Sequence, residues 1–211
     1  MDEVRVWLVR SPLPAAVLDR LAGVLDDRER SRAAALDPMG WQRFVAAHGV
    51  ARVLVAAQVG TAPERVRWAY GPHGKPETDG VRVSLSHSGE LAAVALTERR
   101  AVGVDVQRHK PGLDVVAMSA RYFPADEARL VAAGARRAAV FARLWARKEA
   151  CVKATGGRLT PGLTLAVAAG PVVGGTRHVL DLPVPEGFAG AAALCGAAPF
   201  RVTTAWWTPP D

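Results

Sequence analysis

Cysteine is scarce in this chain: only Cys151 and Cys195 occur among 211 residues, and neither has a second Cys or a His at zinc-like spacing. That argues against a disulfide framework or a zinc site, and predicts free, buried thiols in a reducing compartment. Long apolar runs are missing too. None reaches the roughly 18 residues of a membrane span. The opening Met1-Asp2-Glu3 shows no basic and apolar export segment. The expectation is a cytoplasmic protein with no membrane partner. Basic and aromatic residues are not interleaved and no nucleic-acid reader motif occurs, so nucleic acid is not expected as a partner. Low-complexity tracts, long linkers and residue-level repeats are likewise absent.

What is present is a chain able to bury a sizeable core. Half of its residues are apolar (50%), enough for one large domain or two small fused ones. The formal charge of +7 favours anionic partners such as phosphorylated metabolites or an acidic protein. Charge alone does not choose among them.

The pattern predicts a strand over Val4 to Val9, a helix over Leu13 to Leu25 and a charged helix opening at Asp26. A long helix follows from Met39 to Val59, with Arg43, His48 and Arg52 on its polar side. Gly71-Pro72-His73-Gly74-Lys75-Pro76 reads as a turn-rich loop. Three short strands come next, over Arg82 to Ser86, Leu91 to Thr97 and Ala101 to Val106, the first two joined tightly by Ser88-Gly89-Glu90. Helices are expected over Asp114 to Arg121, Ala125 to Ala133 and Arg136 to Thr155. A strand meander closes the chain, over Leu163 to Ala168, His178 to Leu182, Ala191 to Cys195 and Arg201 to Trp207. This order predicts an α+β (α/β) fold of two similar halves, residues 1–99 and 100–211.

The most informative stretch is Leu144 to Lys153. On a helix Glu149 and Lys153 lie one turn apart with Lys148 beside them, so an anion suited to a metal and cations suited to phosphate share fixed geometry. Phe141, Leu144, Trp145 and Val152 make this helix partly buried, where unpartnered charges are costly. In Val102-Gly103-Val104-Asp105-Val106-Gln107, strand alternation sends the valines to one face and Gly103, Asp105 and Gln107 to the other. Asp105 and Glu149, with Gln107 as a neutral oxygen, suit a hard cation such as Mg2+, with Mn2+ also compatible. Ser86 and His87 place a hydroxyl and an imidazole at a strand end, able to donate to a phosphate. A Ser, His and Asp triad with Asp105 is disfavoured because no serine sits in a nucleophile elbow. Lys75 offers an amine on a rigid loop, and Arg43 and His48 add basic groups that can cradle a phosphate.

Gly74-Lys75-Pro76, Ser86-His87-Ser88-Gly89, Gly103-Val104-Asp105 and Trp145 to Lys153, in this order and spacing, resemble the 4′-phosphopantetheinyl transferases of the surfactin-synthetase-activator type. The likeness spans about residues 70 to 160. It implies a pseudo-dimer of two α/β halves, acting as a monomer, with coenzyme A in the cleft between them. It also implies transfer of the phosphopantetheine arm to a serine of an acyl, peptidyl or aryl carrier protein, as in fatty acid, polyketide and nonribosomal peptide synthesis. By position, Asp105 and Glu149 look like metal ligands and Lys153 like the residue on the pyrophosphate. Lys75 and His87 look like phosphate contacts, and Arg43 falls near the nucleotide. Glu127 matches a family glutamate and stands second to Glu149 as general base. Gln107 departs from the acidic residue many relatives carry there, which predicts altered metal affinity. The rival reading is a non-catalytic protein that binds coenzyme A or a nucleotide.

Overall fold

The computed structural model describes residues 1–110 and 112–210. It has mixed α/β architecture. In chain order the elements begin with β1 (Asp2–Arg10), α1 (Ala15–Gly23), α2 (Asp27–Ala34) and α3 (Pro38–Val59). A short 3-10 turn precedes β2 (Ala69–Tyr70), β3 (Pro76–Glu77), β4 (Arg82–Ser88), β5 (Leu91–Thr97) and β6 (Val102–Arg108). Then come α4 (Val115–Tyr122), α5 (Ala125–Ala133), α6 (Arg137–Thr155) and α7 (Leu159–Gly162). The last strands are β7 (Val172–Val173), β8 (Arg177–Asp181), β9 (Phe188–Cys195) and β10 (Phe200–Trp206). None of the described helices is long and apolar enough to cross a membrane.

Local chemistry fixes the helix ends. Asp26 and Glu29 form a reciprocal capping box at the start of α2. Asp37 caps α3, with Pro38 in its first turn and Gly60 closing it at φ 72°. Gly156 ends α6 at φ 64°, a left-handed conformation that glycine adopts without a side-chain clash.

One four-stranded sheet has the order β10-β1-β5-β4 and the other β6-β9-β8-β7. α1 and α3 bury Leu18, Leu21, Phe44, Val45 and Val50 against the first sheet. α6 buries Phe141, Leu144, Ala150 and Cys151 against the second. Val4, Val6 and Leu8 of β1 meet Val102, Val104 and Val106 of β6 in a third cluster, where the two sheets share a core. The final strand crosses back. β10 pairs in parallel with β1, so a cut after residue 99 would part that strand from its sheet.

Where the sheets approach, no backbone ladder forms between β4 and β6. Ser84, Ser86 and Ser88 hydroxyls instead accept from the backbone N–H groups of Val104 (3.0 Å), Val106 (3.3 Å) and Arg108 (3.1 Å). The constant offset means that the strands run the same way, joined by side chains. On its other face β6 lies directly on α6: a Cβ at Gly103 would sit 1.9 Å from the Ala150 carbonyl oxygen. Only glycine fits there.

Two expectations need correction. Residues 163–168 form no strand, because their backbone is satisfied by side chains: Glu127 Oε1 accepts from the N–H groups of Val167 (2.5 Å) and Ala168 (2.8 Å), and Lys148 donates to the Leu165 carbonyl. Arg52 is not on a polar face. It is fully buried at 0% exposure, bonded to Asp26 and Glu29 at 2.5 Å each, because α2 docks its acidic residues on that side of α3.

Candidate functional site

A cleft of about 400 Å³ opens where the two sheets and their helices meet. Arg32 of α2, His48 of α3, the His73 to Pro76 loop and Ser84 to His87 of β4 line one side. Asp105 to Gln107 of β6, Glu149 and Lys153 of α6, and Gly156 and Gly157 beyond it line the other. Strand alternation brings Asp105 to the wall while Val104 and Val106 enter the core. Helical spacing sets Glu149 and Lys153 one turn apart, with Nζ 3.8 Å from the Glu149 carboxylate.

Asp105 is the centre of the polar wall. Its Oδ1 accepts from Ser86 Oγ at 2.6 Å and from Lys153 Nζ at 2.7 Å, while Oδ2, also buried, has no partner. Burial pushes the Asp105 carboxyl above its ordinary range, and Lys153 and Ser86 only partly offset this. Glu149 is raised as well, first by burial and then by the Asp105 charge, although Trp145 Nε1 donates to its Oε1 at 3.2 Å. Opposite stands a basic wall. His87 is exposed at the cleft mouth, yet partial desolvation and then the charges of His48, Lys153, Arg43 and Arg32 hold its imidazole below the usual value. His48 stacks on Phe44 with centroids 3.8 Å apart, and its Nδ1 meets Glu29 Oε1 at 3.1 Å.

The cleft thus gathers His48, Lys75, Ser86, His87, Asp105, Gln107, Glu149 and Lys153. It does not gather three other expected residues. Glu127 and Lys148, 2% and 0% exposed, are sealed together with Nζ 2.5 Å from Oε2 and the ammonium over the Phe123 ring. Neither lines the cleft, where Glu127 is expected as a catalytic group and Lys148 as a phosphate contact; they pair with each other behind it. Consecutive helical residues differ by about 100° in direction, so Lys148 points inward where Glu149 faces the cleft. Arg43 also stays off the cleft lining; it contacts the Met39 sulfur and adds charge at a distance.

Arg32 and His73 were not singled out from sequence. Nothing local separates Arg32 from Arg28 or Arg30 on the charged α2, and only the docking of α2 on α3 places it at the cleft. His73 had a usable signal, since it lies inside the loop already marked by Gly74-Lys75-Pro76.

Comparison with known sequences decides the family. The profile of the 4′-phosphopantetheinyl transferase superfamily matches residues 101–174. The 4′-phosphopantetheinyl transferase HetI of Nostoc sp. (strain PCC 7120) is 32% identical over 164 residues, covering 74% of this chain and 69% of HetI. The chain belongs to the 4′-phosphopantetheinyl transferase superfamily. AcpT of Salmonella typhi, also named as such a transferase, is 34% identical over 111 residues, 50% of this chain and 56% of its own. The transferase psf-1 of Bacillus pumilus is 36% identical over 97 residues, 44% of this chain and 40% of its own.

The donor set of this phosphopantetheinyl transferase fits a hard divalent cation. Among the described residues no group of three or more His, Cys, Asp or Glu side chains could hold a metal by itself. A magnesium ion does not need one, because it keeps waters and substrate oxygens in its octahedron. The buried, unpartnered Asp105 Oδ2 is an oxygen that a cation would satisfy, and Glu149 is the second charge. Gln107 sits at the rim with its amide nitrogen donating to the Arg108 carbonyl at 3.2 Å.

Proposed function

We propose that this chain is a transferase of the surfactin-synthetase-activator type: a monomeric, cytoplasmic pseudo-dimer of halves 1–99 and 100–211, with β10 returned to the first half. It moves the 4′-phosphopantetheine arm from coenzyme A to a serine of an acyl, peptidyl or aryl carrier protein, with holo-carrier and adenosine 3′,5′-bisphosphate as products. The observation that carries this reading is the incompletely neutralised pair Asp105 and Glu149, with Lys153 between them, facing a basic wall across one cleft.

In that reading Arg32, His48 and His87 hold the nucleotide phosphates, and Lys153 neutralises charge spreading over the diphosphate in the transition state. The serine oxygen bonds to the phosphorus that bears the pantetheine arm. The bond from that phosphorus to the adenylate side breaks, and the serine proton passes to Glu149. Glu149 is a cleft-lining carboxylate able to take that proton. Asp105, Glu149 and the neutral oxygen of Gln107 would hold magnesium or manganese, which would supply positive charge to the diphosphate. The net charge of +7 suits acidic carriers and speeds encounter more than it tightens the complex.

Intact-mass spectrometry of apo carrier incubated with this protein, coenzyme A and magnesium tests the reading. The expected result is a gain of one phosphopantetheine arm that a chelator abolishes. No gain on acyl and peptidyl carriers, with coenzyme A still bound, would favour a non-catalytic binding protein. The turned amide of Gln107 would then be the first suspect and Gln107→Glu the first repair.

A further inference from the structure

Lys75 lines the cleft, but its ammonium is occupied elsewhere. Nζ donates to the Val102 carbonyl at the start of β6 and to the Ala154 carbonyl in the last turn of α6, at 3.0 Å each. The stem lies over Gly156, where an added Cβ would meet Lys75 Cδ at 3.6 Å. Ala154 offers one of the carbonyls that a helix end leaves without an intrahelical partner, at the negative pole of the helix. A lysine from a distant loop therefore caps the helix that carries Glu149 and Lys153. Burial also lowers its pKa.

The loop it belongs to is compact. Gly71 N–H donates to the Lys75 carbonyl at 3.0 Å and Gly74 N–H to the Gly71 carbonyl at 2.9 Å, within the turn between β2 and β3. The β2 and β3 strands are two residues each, and among the described residues they pair only with one another. Such a hairpin has little stability of its own. β3 packs beside β4 and Arg28 of α2 lies over the Tyr70 ring, while the Lys75 side chain carries hydrogen bonds from this hairpin to the second sheet and to α6.

We infer that Lys75 is a positioning residue: its ammonium clasps the Gly71 to Pro76 loop to β6 and the end of α6, and it acts on coenzyme A by placing that loop rather than by gripping a phosphate. The inference rests on the coenzyme A reading of the cleft. It assigns the loop backbone and His73 to the nucleotide end of the ligand, and it makes Lys75 a link between that end and the helix that performs the transfer.

Lys75→Met keeps the stem and removes every donor. In the ligand-free protein, amide hydrogen exchange over residues 71–76 is expected to quicken by about tenfold to a hundredfold, the scale of the two lost hydrogen bonds, while α3 and β5 stay as in the wild type. With ligand, KM for coenzyme A rises more than kcat falls. The weakening of affinity is expected to be equal for coenzyme A and for 3′-dephospho-coenzyme A. Unchanged exchange over 71–76 would overturn the clasp, and so would a weakening confined to the ligand that carries the 3′-phosphate. If the wild type binds neither ligand, the coenzyme A reading fails, and the exchange measurement still decides whether Lys75 holds the loop.

Discussion

Two faces of α6 each set a lysine against a glutamate, Lys148 against Glu127 of α5 on one and Lys153 against Glu149 of α6 itself on the other, and put them to opposite use. On the inner face Lys148 and Glu127 are buried together, and Glu127 also accepts from two backbone N–H groups while Lys148 also donates to Leu165. On the cleft face Glu149 and Lys153 stand farther apart, Lys153 leans to Asp105, and one Asp105 oxygen is left without a donor. A buried charge answered by an ion pair on one oxygen and by backbone donors on the other, as Glu127 is, fixes structure. One that is answered in part is held ready for an incoming charge, and here the cost of leaving it so is borne by the surrounding fold.

The sharpest way to break that contrast is to neutralise one glutamate from each face. Glu149→Gln is expected to lower carrier modification by about 10²- to 10³-fold, the size of losing one transition-state electrostatic contact. Its melting temperature should hold or rise, because the like charge beside Asp105 is gone. A marked fall in melting temperature would show that Glu149 is structural. Glu127→Gln should do the reverse. It leaves the Lys148 ammonium buried without a counter-charge, at a cost of about 3–5 kcal/mol of stability in denaturant titration. The folded fraction should still modify carrier, and a folded but inactive Glu127→Gln protein would return Glu127 to the chemistry.

Acid sharpens the comparison by sign. Burial pushes Glu29 up, but bonds from His48 and Arg52 outweigh it and hold it below the ordinary 4.5. Its contribution is therefore complete above 4.5 and lost as pH falls through the lower folded value. Glu149 has its folded value above 4.5, so its ionisation costs stability at neutral pH, and that cost fades as pH falls through the folded value. The stability gap between wild type and Glu149→Gln should close on acidification toward 4.5, whereas the gap to Glu29→Gln should persist until below 4.5. Urea titrations across pH read both gaps, and closure over one shared range would refute the assignment.

The smallest expected effect concerns the thiols. Burial pushes Cys151 up to about 11, so at pH 8 only about a thousandth of it is thiolate. Alkylation of the native protein followed by mass analysis should label Cys195 well before Cys151. Equal rates would mean that α6 opens readily.

Much of the cleft was legible because its residues sit in short local patterns. Alternation in β6 separates Asp105 from its valine neighbours, and the helical spacing of Glu149 and Lys153 needs no tertiary information. Lys148 shows where this fails. Its neighbour Glu149 is on the cleft, and only the packing of α5 and the 163–168 segment against α6 turns Lys148 into a core ion pair. The same holds for Arg52, which reads as a surface residue until α2 brings Asp26 and Glu29 to it.

By itself the sequence determined the helices, most strands and the local geometry of the Asp105 and Glu149 walls, since each depends on residues a few positions apart. Tertiary structure decided which charges face each other: the serine seam between β4 and β6, the return of β10 to the first sheet, the entry of Arg32 into the cleft and the clasp made by Lys75. Those contacts join residues far apart in the chain. Their partners are chosen by how whole elements pack to bury apolar surface, and no local pattern encodes that choice.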